Sequence, residues 1–355
     1  MGRPTIQDVA DRAGVSKATV SAVLNDKGTM KASTREGVLD AIRALNYRPN
    51  PAARRRVTSR GSRSVGFVLR EIANPYYAEI IAGAEEYLRE HDCIMLVGAS
   101  EGDFAAEQRV INLLTLKDVD GLLLTPVRDD KTDLAHIFDL KRRNVSFVLL
   151  EAIHGVQANL VDVDSVDGAK RAARHLIELG HTRIVHFGGP EYSLHSQERI
   201  SGVRAAYSES RLIFSDELVV QAGDSLADGY RAGLAYFRDR APAERATGLT
   251  CYNDLVALGV CRALSELGLR IPDDVSVVGY DDLQLLEYVS PPLTSVRVPK
   301  REVGRLAAEI LYREIDGGSR TPQKVYLQAE LVVRGSTAPP PAEIDQSTPA
   351  RARAG

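Results

Sequence analysis

The chain contains 355 residues, of which 44% are hydrophobic and 26% are charged, as is ordinary for a globular protein. This length predicts two or three domains. No apolar run approaches the roughly 18–20 residues that span a bilayer, and the N-terminus has no signal-peptide core. The three cysteines are too few and too far apart for a disulfide framework or a zinc site. We therefore expect a cytoplasmic protein that contacts no membrane.

The net charge of −3 is distributed unevenly along the chain. Residues 1–63 contain 13 basic and 5 acidic residues, a net charge of +8, whereas the rest of the chain carries −11. A small basic head on an acidic body indicates a polyanion as the partner of the head alone. A solvated charged tail is the alternative, but the head is patterned like a folded domain.

Three short helices are predicted in the head. Residues 5–8 resemble a capping box, and apolar residues follow at helical spacing until Gly14 breaks the helix. Ser16 can cap a second helix, and Ser33 begins a capping box that opens a third. Such a short connection between the first two helices is typical of a helix-turn-helix, whose second helix enters the major groove. We expect residues 1–49 to form an all-α domain that binds double-stranded DNA.

A short basic helix is predicted after this domain. Asn50 is a good N-cap and Pro51 a good first helical residue, and three adjacent arginines, 54–56, repel one another until an anion arrives. A helix this short is marginal alone in water. Residues 50–63 are therefore predicted to contain a hinge helix that orders only on DNA, followed by a linker.

The body alternates short apolar runs with amphipathic segments, a pattern that predicts βαβ units in two doubly wound lobes. The pattern restarts near Val166, where Asp162 and Asp164 are interpreted as part of a capped loop into a helix at Ala169. The predicted strands are 65–69, 94–97, 121–124, 146–150, 184–187, 249–251 and 275–278, and the predicted helices include 76–89, 110–116, 169–179 and 196–207. Residues 337–355 are rich in Pro, Ala, Ser and Thr, which predicts a disordered tail.

Both parts of the chain resemble the lactose/galactose repressor family. In the head the resemblance lies in TIQDVADRAGVSKATVSAVLN and TREGVLDAIRALNYRPNPAAR. In the body it covers about residues 64–336, with blocks such as NPYYAEIIAGAEEYLRE, ARHLIELGHTRIVHFGG and YNDLVALGVCRALSELG. It implies a periplasmic-binding-protein-like α/β domain with its ligand between two lobes, and three passages of the chain between them. The implied lobes are about 64–164 with 292–323, and about 165–291 with 324–336.

The resemblance also implies a function: a sequence-specific DNA-binding transcriptional regulator, by expectation a repressor, associated with the nucleoid. A homodimer would bind a palindromic operator under control of a small molecule, and a tetramer stays open. Side chains implied to read bases are those of Lys17, Ala18 and Ala22. Those implied to hold phosphate and nearby groups are Ser16, Thr19, Ser21 and Asn25. The other implied DNA-binding residues are Thr5, Tyr47, Asn50, Ala53, Arg54, Arg56 and Val57.

The head departs from the family pattern at two positions. Ala22 stands where a long polar side chain is common, so the base pair that it faces is read weakly or through a thymine methyl group. Arg56 stands where the family usually has a leucine wedge, and wedging between base steps is the task of an apolar side chain. Either Arg56 enters a narrowed minor groove or Val57 replaces the wedge, so the kinking of the operator stays open.

The effector site is expected beyond the carboxyl ends of the parallel strands, where doubly wound sheets bind ligands. Candidate residues there are Asn74, Tyr76, Tyr77, Glu151, Asn253 and Asp281. The resemblance adds Arg199, which matches the effector-contacting arginine of the family, and supports Asn253 and Asp281. Alternatively, Asn253 caps a helix, Tyr77 belongs to the core, or Glu151 is a solvated strand end.

A carbohydrate is the first expectation for the effector, and a nucleoside or another metabolite stays open, because the chain has no tryptophan to stack on a sugar. A solute-binding protein and a sugar-modifying enzyme are the alternative functions. The sequence lacks the common hydrolase, metalloprotease and nucleotide-binding motifs and has no helical histidine pair for a metal. We expect no enzyme, catalytic residue, metal or cofactor.

Overall fold

The computed structural model describes residues 6–24, 31–45, 63–127, 134–153, 155–319 and 321–341. The expectations for Thr5, Asn25 and the hinge residues 47–57 lie outside these ranges. In the head, α1 (Ile6–Ala13), α2 (Lys17–Leu24) and α3 (Ala32–Ala44) enclose a small apolar core. Gly14 has a φ of +65°, a left-handed turn that separates α1 from α2. The predicted helix-turn-helix is confirmed. The third helix begins at Ala32, so Ser33 lies in its first turn and was wrongly predicted as its cap.

Strands and helices alternate along most of the described part of the body. Its first half contains β1 (Arg63–Leu69), α4 (Tyr76–Glu90), β2 (Cys93–Ala99), α5 (Phe104–Leu116), β3 (Gly121–Leu124), α6 (Ala135–Arg142), β4 (Ser146–Leu149), β5 (Asn159–Val163), α7 (Ser165–Glu178) and β6 (Ile184–Gly188). Its second half contains α8 (Leu194–Glu209), β7 (Val219–Gln221), α9 (Leu226–Phe237), β8 (Gly248–Cys251), α10 (Asp254–Glu266), β9 (Ser276–Asp281), β10 (Thr294–Arg297), α11 (Lys300–Ile315), β11 (Lys324–Leu327) and β12 (Glu330–Val332).

These elements build two six-stranded sheets, one in each lobe. The sheet of lobe 1 has the order β11-β5-β4-β3-β1-β2, and all of its pairings are parallel. The sheet of lobe 2 has the order β12-β10-β9-β8-β6-β7, and β12 pairs with β10 in the antiparallel direction. Apolar clusters bury both faces of each sheet. The prediction of two doubly wound lobes is confirmed.

The chain passes between the lobes three times, as the resemblance implied. The passages lie at Asp164, between β10 and α11, and between β11 and β12. Two segments differ from the expected division. Strand β10 extends the sheet of lobe 2, although a return to lobe 1 was expected after about residue 291, and β11 extends the sheet of lobe 1. Both strands are only four residues long, so their periodicity gives little indication of the sheet they join.

Two further local expectations are corrected. Asp164 caps α7 directly, since its side chain accepts a hydrogen bond from the Asp167 amide, and the helix therefore begins at Ser165 instead of Ala169. Residues 337–341 are ordered against lobe 2, although a tail disordered from residue 337 was expected. The Ala338 carbonyl lies 2.9 Å from His181 Nε2 and accepts a hydrogen bond from Ser276 Oγ at 3.0 Å. In the described part of the chain, none of the helices combines the length and apolar character that spanning a bilayer requires.

Helices α4 and α11 pack unusually closely within lobe 1. A methyl group on Gly83 would overlap the Arg301 carbonyl, and one on Gly304 would overlap the Ile80 carbonyl. Only glycine permits backbones to approach so closely. This contact joins β1 and α4 to α11, which follows the second passage from lobe 2, and lobe 1 packs closely around these elements.

Candidate functional site

A cleft between the lobes collects all of the effector-binding candidates. Lobe 1 contributes Asn74, Tyr76, Tyr77 and Glu151, and lobe 2 contributes Arg199, Asn253 and Asp281. Polar residues that the sequence interpretation missed also line the cleft: Arg70, Glu71, Thr125, His195, Asp224 and Tyr252. The structure brings these side chains together, and their contact with an effector stays a prediction.

The wall in lobe 1 is built around an ion pair. Arg70 follows β1 and Glu151 follows β4, and Arg70 Nη2 donates to Glu151 Oε2. Burial lowers the pKa of Arg70, but Glu151 acts together with Tyr77, Tyr252 and Asp224 to outweigh burial and raise that pKa well above its usual value. Glu151 is only 3% exposed, and its Oε1 has no hydrogen-bond partner. A buried carboxylate oxygen without a donor is costly, so this atom is available to a donor from a ligand.

The wall in lobe 2 is built around Arg199, which lies in the second turn of α8. Its guanidinium carbon lies 3.6 Å from the centre of the Tyr280 ring and 4.6 Å from that of the Tyr252 ring, within cation–π range. Arg199 Nη1 donates to the Tyr252 carbonyl, and Nη2 lies 3.8 Å from Asp281 Oδ1. The two rings and the carbonyl fix the guanidinium plane beside Asp281, while Arg199 Nε is buried without a partner.

Asp281 ends β9 in a strained conformation. Its φ of 109° is one that residues other than glycine rarely adopt. Burial raises the pKa of Asp281 to about 6, although Arg199 and Lys300 oppose this rise. Lys300, 3% exposed at the start of α11, donates to the carbonyls of Asp281 and Asp282 and lies 3.3 Å from Glu79 of α4. Lys300 thus links the end of β9 to lobe 1.

Asn253 and the tyrosines each combine a structural role with a place in the cleft. Asn253 Oδ1 accepts from the Val256 amide at 2.8 Å and so caps α10, while its Nδ2 donates to the Asp224 carbonyl. Tyr77 is 7% exposed and belongs to the apolar core, and Tyr76 lies edge-on to it with 5.3 Å between ring centres. Asn253 therefore caps a helix and Tyr77 belongs to the core, as the alternatives predicted, and both residues also line the cleft.

One ion pair crosses the cleft from lobe to lobe. His195 Nε2, in the first turn of α8, lies 2.9 Å from Asp162 Oδ1 of β5. Burial lowers the pKa of His195, but the carboxylates of Asp162 and Glu151 outweigh burial, and the pKa is raised. Burial raises the pKa of Asp162, but His195 and two backbone amides outweigh it, and that pKa is lowered. No sequence signal joins these residues, because they meet only when the lobes are together.

The face of α2 carries the expected DNA-binding residues. Ser16, Lys17 and Ala18 are exposed, whereas Val20 and Val23 are buried against the other helices. Ser16 Oγ accepts from the Thr19 amide at 3.1 Å, which confirms Ser16 as the N-cap. Thr19, Ser21 and Ala22 are half-buried on the same helix. The N-terminus of α2 therefore presents short polar groups and one cation, a suitable surface for phosphate and base edges.

Metal binding finds no support in the described residues, among which no three His, Cys, Asp or Glu side chains converge to hold an ion. The arrangement suits binding more than catalysis: fixed donors, fixed acceptors and aromatic faces surround the cleft.

Two family models match the chain. Residues 5–50 match the model of bacterial regulatory proteins of the lacI family, and residues 173–337 match the periplasmic binding protein-like domain. A relative from Vibrio campbellii, the HTH-type transcriptional repressor PurR, is 34% identical over 332 residues, which cover 94% of this chain and 98% of the relative.

Solved structures are also similar to this chain. A complex of the transcriptional regulator CelR with cellobiose has a TM-score of 0.71 and 33% identity, over 94% of this chain and 100% of that chain. A lac repressor dimer bound to operator and the anti-inducer ONPF has a TM-score of 0.72 and 26% identity, over 95% of this chain and 100% of that chain.

Proposed function

The chain belongs to the lacI family of bacterial regulatory proteins, and from this premise we propose that its interlobe cleft binds a sugar that controls operator binding by a homodimer. The protein is a DNA-binding transcriptional regulator. Its relatives are repressors, so the expectation that it is not an enzyme is confirmed, and the alternatives of a solute-binding protein and a sugar-modifying enzyme find no support in them.

The observation that carries the effector proposal is the pairing of Arg199 with Asp281 beside aromatic rings. A guanidinium and a carboxylate 3.8 Å apart offer donors and acceptors to neighbouring hydroxyl groups. Glu151 Oε1 supplies a further acceptor from the opposite lobe. Tyr76 supplies an apolar face against which the C–H surface of a sugar ring can pack. CelR, which is 33% identical to this chain, was solved with cellobiose, and this supports a sugar as the effector.

The test is a thermal-shift screen of the full-length protein with monosaccharides, disaccharides and nucleosides. A bound effector stabilises the folded state in proportion to the logarithm of its concentration above Kd. We expect stabilisation by one sugar and a smaller stabilisation in Asp281→Asn. If only nucleosides stabilise the protein, the sugar proposal is wrong but the cleft remains the proposed site. If Asp281→Asn binds the ligand as tightly as the parent protein does, the ligand does not bind in the cleft.

We propose that the residues predicted from the sequence contact DNA. Lys17, Ala18 and Ala22 face bases, Ser16, Thr19 and Ser21 hold phosphate, and the exposure of the first residues of α2 supports this assignment. Two-fold symmetry of the protein predicts a palindromic operator. Selection from random duplex DNA by gel shift should enrich a palindrome, and enrichment of no sequence would contradict the assignment. Such binding would associate the protein with the nucleoid.

The homodimer proposal rests on an apolar surface of lobe 1. The edge strand β2 exposes Ile94, Leu96 and Val97, and α5 exposes Leu113 and Leu116, the last to 75%. An exposed apolar edge invites pairing with another chain, and a second copy is the occupant that a two-fold operator requires. Sedimentation analysis should give a dimer that Leu113→Glu dissociates. A monomeric parent protein would contradict this proposal.

A further inference from the structure

We propose that His195 and Asp162 form a latch that holds the two lobes together and makes their closure depend on pH. The proposal concerns the regulation of the effector site and rests, for its biological meaning, on the function proposed above.

The pair lies across the boundary between the two lobes. Asp162 lies in β5, just before the first passage between lobes, and His195 lies in the first turn of α8 in lobe 2. Their contact of 2.9 Å therefore exists only while the end of the lobe 1 sheet faces the start of α8. His195 also lines the cleft, so the latch adjoins the surface that an effector would occupy.

Two backbone amides of lobe 1 orient the Asp162 carboxylate. Its Oδ2 accepts from the Ala152 amide at 3.1 Å and its Oδ1 accepts from its neighbour Val163. The carboxylate is thus oriented before His195 arrives, and its side chain is only 4% exposed. Opening the lobes would leave this carboxylate without its cation, while His195 would gain access to water. The free energy of closure therefore includes the ionisation of the histidine.

Charged groups around His195 determine the sign of the pH dependence. From lobe 1 it faces Asp162 of β5 and Glu151 after β4, and from its own helix Arg199 and Glu198. Asp281 at the end of β9 also acts on it. The carboxylates from lobe 1 favour the imidazolium, since they outweigh burial and raise the pKa of His195 in the closed arrangement. A raised pKa means that the latch holds below that pKa and weakens as pH rises through it.

Lobe 1 provides a matched control. His136 Nε2 lies 2.6 Å from Glu107 Oε1, a buried imidazole–carboxylate pair whose members are on α6 and α5 of the same lobe. Its removal affects the packing of lobe 1 and leaves every contact between the lobes in place. His136→Gln and His195→Gln therefore remove similar pairs that differ in whether they cross the cleft.

Single-molecule FRET on the full chain tests the latch without an effector. Dyes are attached through Ile72→Cys in lobe 1 and Glu191→Cys in lobe 2, two exposed positions, in a Cys261→Ser background, and labelled chains are diluted with unlabelled ones. We expect the ratio of closed to open molecules to fall severalfold between about pH 6 and about pH 9. The ratio should be low and flat with pH in His195→Gln and in Asp162→Asn, and should keep the parental profile in His136→Gln.

Two results would overturn the latch: a flat profile in the parent protein, or a parental profile that persists in His195→Gln. Asp162→Asn keeps the size of the side chain and one of its two acceptors for backbone amides, whereas His195→Gln leaves both acceptors in place, so the two variants test the latch independently. Failure of the latch and failure of the effector proposal are distinguishable, because closure is measured without ligand and the thermal-shift screen is read without dyes.

Discussion

Arg199 approaches Asp281 to 3.8 Å while its guanidinium carbon lies 3.6 Å from the centre of the Tyr280 ring. The ring and the carboxylate together fix a planar group, which a lysine could not reproduce because its ammonium lacks the flat, forked geometry.

For Arg199→Lys we predict an effector affinity lower by about 10- to 100-fold, since charge-assisted hydrogen bonds of fixed geometry are lost. Isothermal titration calorimetry with the sugar found by screening measures this change. Arg204→Lys is the control, because Arg204 lies on the same helix and pairs with the exposed Asp216. Equal losses in the two variants would show that the effect is on the stability of α8 and not on the site.

The pKa of Asp281, which burial raises to about 6, predicts a pH-dependent affinity. If the ionised carboxylate accepts hydrogen bonds from the effector, affinity falls below that pKa, by about tenfold from pH 7 to pH 5. The linkage to folding has the opposite sign, because a carboxyl group whose pKa is raised contributes less stability as pH rises through it. Calorimetry from about pH 7 to about pH 5 checks the prediction, and in Asp281→Asn the effector affinity should no longer fall toward acidic pH. If the affinity still falls in Asp281→Asn as it does in the parent protein, another group causes the pH dependence.

Lys17 should separate base reading from phosphate binding. If it contacts a base edge, Lys17→Ala relaxes the selection at one position and costs about 1–3 kcal/mol of operator affinity. If it contacts phosphate, affinity falls on every sequence and the salt slope decreases by about 1. Gel shifts on the selected operator and on single-base variants at several salt concentrations distinguish these outcomes. Lys117→Ala, which removes an exposed lysine from the body, should change neither quantity.

The close approach of α4 and α11 predicts a large effect of one methyl group. Gly304→Ala should lower the free energy of unfolding by about 3 kcal/mol, because the added Cβ overlaps the Ile80 carbonyl and the backbones must separate. Gly37→Ala, in α3 with nothing near the added atom, should instead stabilise the head by about 1 kcal/mol. Chemical denaturation of each variant gives both values. An unchanged midpoint for Gly304→Ala would show that the helices can shift apart at little cost.

Much of the cleft could be predicted from the sequence, since strand ends meet at one edge of a parallel sheet. Glu151 and Asn253 were found by that rule, and Arg199 by resemblance. Arg70 immediately follows a predicted strand, so the same rule could have found it. His195 could not be found in this way, because it lies in a helix and meets Asp162 only through the arrangement of the lobes. The sheets of β10 and β11 were misassigned because the resemblance implied the positions of the passages only approximately, and four-residue strands carry too little periodicity to correct them.

The three passages between the lobes have a mechanical consequence. Three chain segments that cross the same boundary permit rotation about the line that joins them. They resist sliding or twisting of one lobe against the other. Lys300 stiffens one of them by holding the carbonyls of Asp281 and Asp282. The lobes are therefore expected to rotate about an axis along the three passages, while sliding and twisting between the lobes are resisted.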